Sequence, residues 1–112
     1  MSPTEIDDYC RSLPGATAEI QWQTDLLFKV GGKMFAVLGP SGTLSFKAND
    51  VAFEMLCETG AARPAPYLAR AKWVYLDEVE AFDGRDLKSY LAEAHRIVAA
   101  KLPRKVRAGL GL

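Results

Sequence analysis

Apolar residues recur at helical spacing in three stretches of the chain, which predicts three amphipathic helices. In the first stretch, Ser2 and Glu5 have the spacing of a capping box, and Pro14-Gly15 ends the pattern. An Asn49 or Asp50 cap begins the second helix, and Pro103 stops the third. The predicted helices cover residues 2–13, 49–60 and 83–102.

Between the first two helices, apolar and polar residues alternate with the period of β-strands. Gly31-Gly32 has the composition of a two-residue hairpin turn, and "GPSG" at 39–42 indicates a second turn. Counting outward from these turns pairs Phe28 with Phe35, and Phe35 with Phe46. Both turns then predict one inward face, made of Leu26, Phe28, Val30, Phe35, Val37, Leu44 and Phe46.

The opposite face of this predicted meander is mixed and partly cationic. It carries Leu27, Lys29, Met34, Ala36, Leu38, Thr43, Ser45 and Lys47. A short strand around Glu19–Gln23 and a late strand, "KWVYL" at 72–76, complete the predicted sheet. We therefore predict a two-layer α+β fold, an antiparallel sheet with helices on one face. Residues 1–112 form a single domain in this prediction, with 103–112 as a flexible basic tail.

Charge is distributed unevenly along a chain whose net charge is zero. Residues 1–60 hold four basic and eight acidic residues, a balance of −4, and residues 61–112 hold ten and six, a balance of +4. A cationic surface is therefore expected in the carboxyl-terminal half. No apolar run approaches the ~20 residues that cross a bilayer, and the acidic amino end is not a secretory signal. These features predict a cytoplasmic protein without a membrane partner.

The residue types that carry catalysis are sparse. His95 is the only histidine, and Cys10 and Cys57 are too few and too far apart for a thiolate metal site. Both cysteines fall among apolar neighbours on helices, which favours buried free thiols over a disulfide. The sequence also lacks a nucleophile elbow and a phosphate-binding loop. We expect no enzyme activity, no metal and no cofactor.

The stretch "RPAPYLARAKWVYL" at 63–76 is rich in aromatic and cationic side chains. Trp73 and Tyr75 share one face of the predicted strand, so they could stack on bases from the helix-free side while cations hold phosphates. Alternatively, Trp73 packs in the core beneath the third helix. The candidate cations are Arg63, Arg70 and Lys72 beside this strand, Lys29 and Lys47 on the outward sheet face, and Lys33 at a hairpin tip.

Four segments, "YCRSLPGAT", "LFKVGGKMFAVLG", "LSFKAND" and "PYLARAKWVYL", occur in the order and spacing typical of the MmcQ/YjbR family, and the chain resembles that family from Tyr9 to about Leu102. The resemblance implies a small bacterial domain of order α-β(3)-α-β(2)-α, similar to secretion chaperones. Relatives are commonly described as DNA-binding, from a likeness to double-wing proteins. The family positions that match are Gly31, Gly32, Lys33, Lys47, Pro66, Tyr67, Arg70 and Trp73.

Many relatives carry two histidines near the late strand, where this chain has Leu68 and either Lys72 or Ala71. A role that required imidazole is therefore not expected. The resulting hypothesis is a non-enzymatic DNA-binding protein that contacts phosphates weakly and with little sequence preference. Its candidate residues are Lys29, Lys33, Lys47, Arg63, Tyr67, Arg70, Lys72 and Trp73. The alternative is a protein-interaction or chaperone-like module, with Leu27, Met34, Ala36 and Leu38 as an exposed apolar patch.

Overall fold

A computed structural model describes residues 1–21 and 24–112 and has an α+β architecture, as the sequence predicts. A six-stranded antiparallel sheet of order β1-β2-β3-β4-β6-β5 packs against helices on one face. The strands are β1 (Ala16–Gln21), β2 (Asp25–Val30), β3 (Lys33–Leu38), β4 (Leu44–Lys47), β5 (Arg63–Pro64) and β6 (Trp73–Leu76). The helices are α1 (Pro3–Ser12), α2 (Asp50–Glu58), α3 (Gly84–Ala100) and α4 (Arg104–Gly109).

The predicted helix starts are confirmed by their caps. The Ser2 hydroxyl accepts a hydrogen bond from the Glu5 amide at 3.2 Å, and the Ser2 amide donates to the Glu5 carboxylate at 3.0 Å. At the start of α2 the Asn49 side chain accepts a hydrogen bond from the Ala52 amide at 2.7 Å, and at the start of α3 the Asp83 carboxylate accepts hydrogen bonds from the Arg85 and Asp86 amides. Each cap satisfies amides that the first helical turn leaves without a partner.

The predicted register of β3 is wrong by one residue over most of its length. Val30 faces Lys33 as expected, but a β-bulge follows, so that Phe28 faces Ala36 rather than Phe35. The extra residue of the bulge is Phe35, and both Phe35 and Ala36 are fully buried. A bulge inserts one residue into one strand and reverses the alternation beyond it.

The second turn is also one residue longer than the predicted four. Its closing hydrogen bond runs from the Gly39 amide to the Thr43 carbonyl, and Leu38 pairs with Leu44. The two differences cancel for β2 and β4, whose inward residues Phe28, Leu44 and Phe46 are confirmed. They do not cancel within β3: Val37, predicted to face inward, lies outward, and Ala36 and Leu38 lie in the core.

The main core lies between this sheet face and the helices. Phe46 is fully buried and stacks on Tyr90 of α3, with ring centroids 6.0 Å apart. His95 is 6% exposed, contacts the edge of the Phe35 ring and bonds through Nε2 to the Pro14 carbonyl at 2.7 Å. The histidine therefore links α3 to the segment that follows α1.

The two cysteines are free and differ in burial, which corrects the expectation that both are buried. Cys10 is fully buried in the core, whereas Cys57 is half-buried. Burial, with a smaller contribution from Asp7, raises the pKa of Cys10 to about 12, and burial also raises the pKa of Cys57. The thiolate is the reactive form, so the two sites should differ strongly in reactivity.

We therefore expect a thiol reagent at pH 8 to modify Cys57 at least about 100-fold faster than Cys10 in the native protein. Single-cysteine variants, Cys10→Ala and Cys57→Ser, followed by mass spectrometry isolate the two rates. In denaturant the two rates should converge. Equal rates in the native state would contradict the packing of α1 against the core.

The sequence patterns missed one helix, and one predicted strand lies partly outside the described residues. Residues 104–109, within the predicted flexible tail, form α4, and Leu110 beyond it packs against the core. Of the short strand expected at 19–23, β1 contains residues up to Gln21, and positions 22 and 23 lie outside the described residues. Among the helices described here, none is long and apolar enough to cross a membrane.

Candidate functional site

A pocket of about 570 Å³ opens where the sheet ladder is incomplete. β4 ends at Lys47, and the pairing of β3 with β4 ends at Ala36–Phe46, so the first residues of β3 have no partner on that side. The last turn of α3 lies across this opening, through Ile97 and Val98. The wall is mainly apolar, since Leu27, Met34, Leu68, Trp73, Leu102 and Pro103 also line it.

The charged residues that line this pocket are four lysines: Lys29, Lys33, Lys47 and Lys101. No carboxylate is among its described lining residues, although the chain has as many acidic as basic residues. Lys33 is exposed next to the β2–β3 turn, and Lys101 is the C-cap of α3. We call these four residues the lysine rim. It brings together cations from both halves of the sequence.

Two members of the lysine rim have partners within the chain. The Lys29 ammonium forms an ion pair with Glu19 of the neighbouring strand, and the Lys47 ammonium donates to the Ala71 carbonyl. Burial lowers the pKa of Lys47, Lys101 and Lys72 lower it further, and Asp50 opposes the shift. The partly buried position and the neighbouring lysines therefore destabilise the protonated form of Lys47, and an anion placed nearby would stabilise it.

The β2–β3 turn is held against the end of α3 by close packing. Gly31 has φ +57°, and a Cβ atom at this position would lie 2.6 Å from a Leu102 methyl group. Gly32 also has a positive φ, but a Cβ there would meet no neighbour. Both glycines suit the turn, and Gly31 alone allows it to approach Leu102 this closely. This contact brings the turn next to Lys33 close to the end of α3 next to Lys101, and both lysines line the pocket.

Trp73 lies on the helix-free face of the sheet, opposite Lys47, but it is only 5% exposed. It is not part of the main core cluster, and neither is the buried Leu27 on the same face. Neither of the two interpretations of Trp73 from the sequence is therefore fully correct. Trp73 is neither an open stacking platform nor a residue beneath α3; its side chain forms part of the pocket wall.

The other predicted site residues do not line the pocket. Arg63 pairs with Asp77 at 2.9 Å and lies over the Tyr75 ring at 4.5 Å. The Lys72 ammonium lies 5.0 Å from the centre of the Phe53 ring. Tyr67 is completely exposed with a left-handed backbone of φ 66°, and Arg70 is exposed in the turn Ala69–Ala71. Tyr67 and Arg70 lie within the loop that carries Leu68 and Ala71 to the pocket, and Arg63 and Lys72 lie at its two ends.

The apolar patch expected for a protein-interaction module is not present as predicted. Ala36 and Leu38 are buried in the main core, because the β-bulge turns them inward. Leu27 is 2% exposed, and Met34 is half-buried. Leu27 and Met34 instead contribute to the concave wall behind the lysine rim.

Sequence reasoning missed Lys101 and the apolar end of α3 as parts of this site. The available signal is the stripe of apolar residues at helical spacing that runs through Ile97 and Val98 to Leu102 in the third predicted helix. Within residues 1–21 and 24–112, no group of three or more His, Cys, Asp or Glu side chains could hold a metal ion. The pocket therefore presents a cationic rim around a partly apolar concave surface.

Comparisons with known proteins agree with this architecture. A solved structure, Deinococcus radiodurans protein DR2400 with a DUF419 domain, superposes with a TM-score of 0.86 at 22% sequence identity. The match covers 99% of this chain and 88% of that one. No curated protein matches the chain. The YjbR family model matches residues 11–97, most of the sequence, and the chain therefore belongs to the YjbR family.

Proposed function

We propose that this chain binds nucleic acid without catalysing a reaction, through phosphate contacts made by the lysine rim. The observation that carries the proposal is the convergence of four lysines on one pocket, whose described lining residues include no carboxylate, in a protein with zero net charge. Phosphates are the anions that repeat along a chain at a spacing several such cations can contact together.

The geometry suits backbone contact better than base reading. Lys33 projects next to a hairpin turn and Lys101 from a helix end, so their flexible side chains can follow a backbone without a fixed register. Arg, Asn and Gln present planar groups that read a base edge through two fixed hydrogen bonds, and Gln21 is the one residue of these three types among the described pocket lining. A lysine ammonium on its flexible stem acts mainly as a point charge. Binding should therefore discriminate little between sequences.

A non-enzymatic role is consistent with the state of the single histidine. His95 is buried, and its Nε2 is already bonded to the Pro14 carbonyl, on the far side of the sheet from Trp73 and Lys47. Its imidazole therefore cannot reach a ligand at the lysine rim. The lysines can hold a phosphate, but the described lining supplies no carboxylate or imidazole to accept a proton.

Fluorescence anisotropy with labelled 12-nucleotide DNA and RNA tests the proposal. At 50 mM salt we expect micromolar dissociation constants that change little with sequence. The logarithm of the association constant should fall linearly with the logarithm of salt concentration, with a slope of about −3 for four contacts to a single strand. Absence of micromolar binding to single strands and duplexes at this salt concentration would refute the proposal.

A further inference from the structure

We infer that the pocket takes one unstacked base of a single strand while the lysine rim holds the flanking phosphates, so that single strands bind more tightly than duplexes. This inference rests on the proposed function and specifies its ligand. It follows from a juxtaposition that phosphate binding alone does not require: the cations surround an apolar concavity rather than a flat surface.

The apolar wall indicates what lies between the phosphates. Leu27 and Trp73 are almost fully buried on the helix-free face, yet both border the cavity together with the half-buried Met34. A phosphate gains nothing from such a surface, whereas a planar base has two apolar faces to bury against it. At about 570 Å³ the cavity is in the size range of pockets that enclose small organic ligands.

A duplex would leave this cavity unfilled. Its bases are paired and stacked, and a concave site with cations on its edge meets only the phosphates outside. Extracting a base from a duplex costs pairing and stacking energy, which a single strand does not lose. Charge complementarity therefore admits both forms of nucleic acid, and the apolar wall selects the single strand.

A substitution at the mouth of the pocket can test whether a base enters the cavity without changing the charge of the protein. Ala71 lines the cavity, and its side chain is exposed, so Ala71→Phe should fold normally while filling the space. Its carbonyl still accepts the bond from Lys47, because the substitution alters only the side chain. Ala61→Phe is the matched control, since Ala61 is also exposed and lies outside the pocket lining.

The experiment compares three 12-nucleotide probes at 50 mM salt: a single strand, the same sequence as a blunt duplex, and an abasic strand with an intact phosphate backbone. For the wild type we expect the single strand to bind about tenfold more tightly than the abasic strand or the duplex. Ala71→Phe should reduce the difference between intact and abasic strands to less than about twofold. Ala61→Phe should preserve it.

The outcomes separate this inference from the proposed function. If no probe binds, the proposed function itself is wrong. If the wild type binds all three probes with equal affinity, phosphate binding stands and the base pocket is refuted. Thermal unfolding checks that the Ala71→Phe variant is folded. If the folded variant keeps the full preference for the intact strand over the abasic strand, the base pocket is also refuted.

Discussion

Leu38→Asp is expected to unfold the domain, whereas Val37→Asp at the adjacent position should leave it folded. Leu38 is 7% exposed and faces Leu44 within the main core. The substitution removes a buried leucine side chain and introduces an unpaired charge, which together should lower the free energy of unfolding by about 5 kcal/mol or more. That cost is comparable with the whole stability of a domain of this size, ~5–15 kcal/mol.

Val37 is half-buried on the helix-free face, between Leu27 and Ser45 on the neighbouring strands. An aspartate there can turn to water, so we expect a cost of only about 1–2 kcal/mol. Urea unfolding followed by circular dichroism measures both variants, and Val37→Ala with Leu38→Ala provides a milder pair that remains folded. The reverse order of stability would show that the β-bulge is absent and that β3 follows simple alternation.

This pair of positions shows how far alternation along the sequence can be taken. The patterns of β2 and β4 place Phe28 and Phe46 inward, and the structure confirms both. In β3 the residues Phe35, Ala36, Val37 and Leu38 are all apolar, so the pattern contains no polar position to mark where alternation breaks. Register was therefore inferred from the turns alone, and neither the bulge nor the fifth residue of the second loop is visible there.

The candidate site was predictable in part for a similar reason. Lys29 and Lys47 follow from strand alternation, and Lys33 from the hairpin turn, so three of the four rim lysines were identified from local pattern. Lys101 joins them through tertiary packing of the end of α3, including that of Leu102 on Gly31, a contact between residues 71 positions apart. The concavity itself depends on where β4 ends, since its last residue is Lys47 and the first residues of β3 are left unpaired on that side. No local pattern encodes this end point.

The late-strand cations illustrate the opposite error. Arg63, Arg70 and Lys72 are close to Trp73 in sequence, and proximity suggested one surface. The left-handed backbone at Tyr67 and Lys72 turns the intervening loop. Arg63 then faces Asp77, and Lys72 faces the Phe53 ring. Sequence proximity predicts a shared surface only where the backbone between the residues is regular.

Removing two rim lysines is expected to have the largest effect on nucleic-acid binding. In Lys47→Gln/Lys101→Gln, two of the four proposed phosphate contacts are lost, and glutamine keeps a neutral N–H donor at each position. At 50 mM salt each contact to a single strand contributes roughly tenfold through counterion release, so affinity should fall about 50- to 100-fold. The salt slope should fall from about −3 to about −1.5.

The matched control is Arg85→Gln/Lys88→Gln, which makes the same change in net charge at the end of α3 opposite to Lys101. Both residues are exposed near the start of α3, and Lys88 is separated from Lys101 by 13 residues, or about 20 Å along the helix. A ligand held at the lysine rim should be affected less than about threefold by this control, because charges at that distance are screened. An equal loss of affinity in the two double variants would mean that binding responds to overall charge, and the rim would then not be the site. The change in salt slope is decisive. A variant that was merely less stable would bind less nucleic acid at every salt concentration, but each binding event would release the same number of ions.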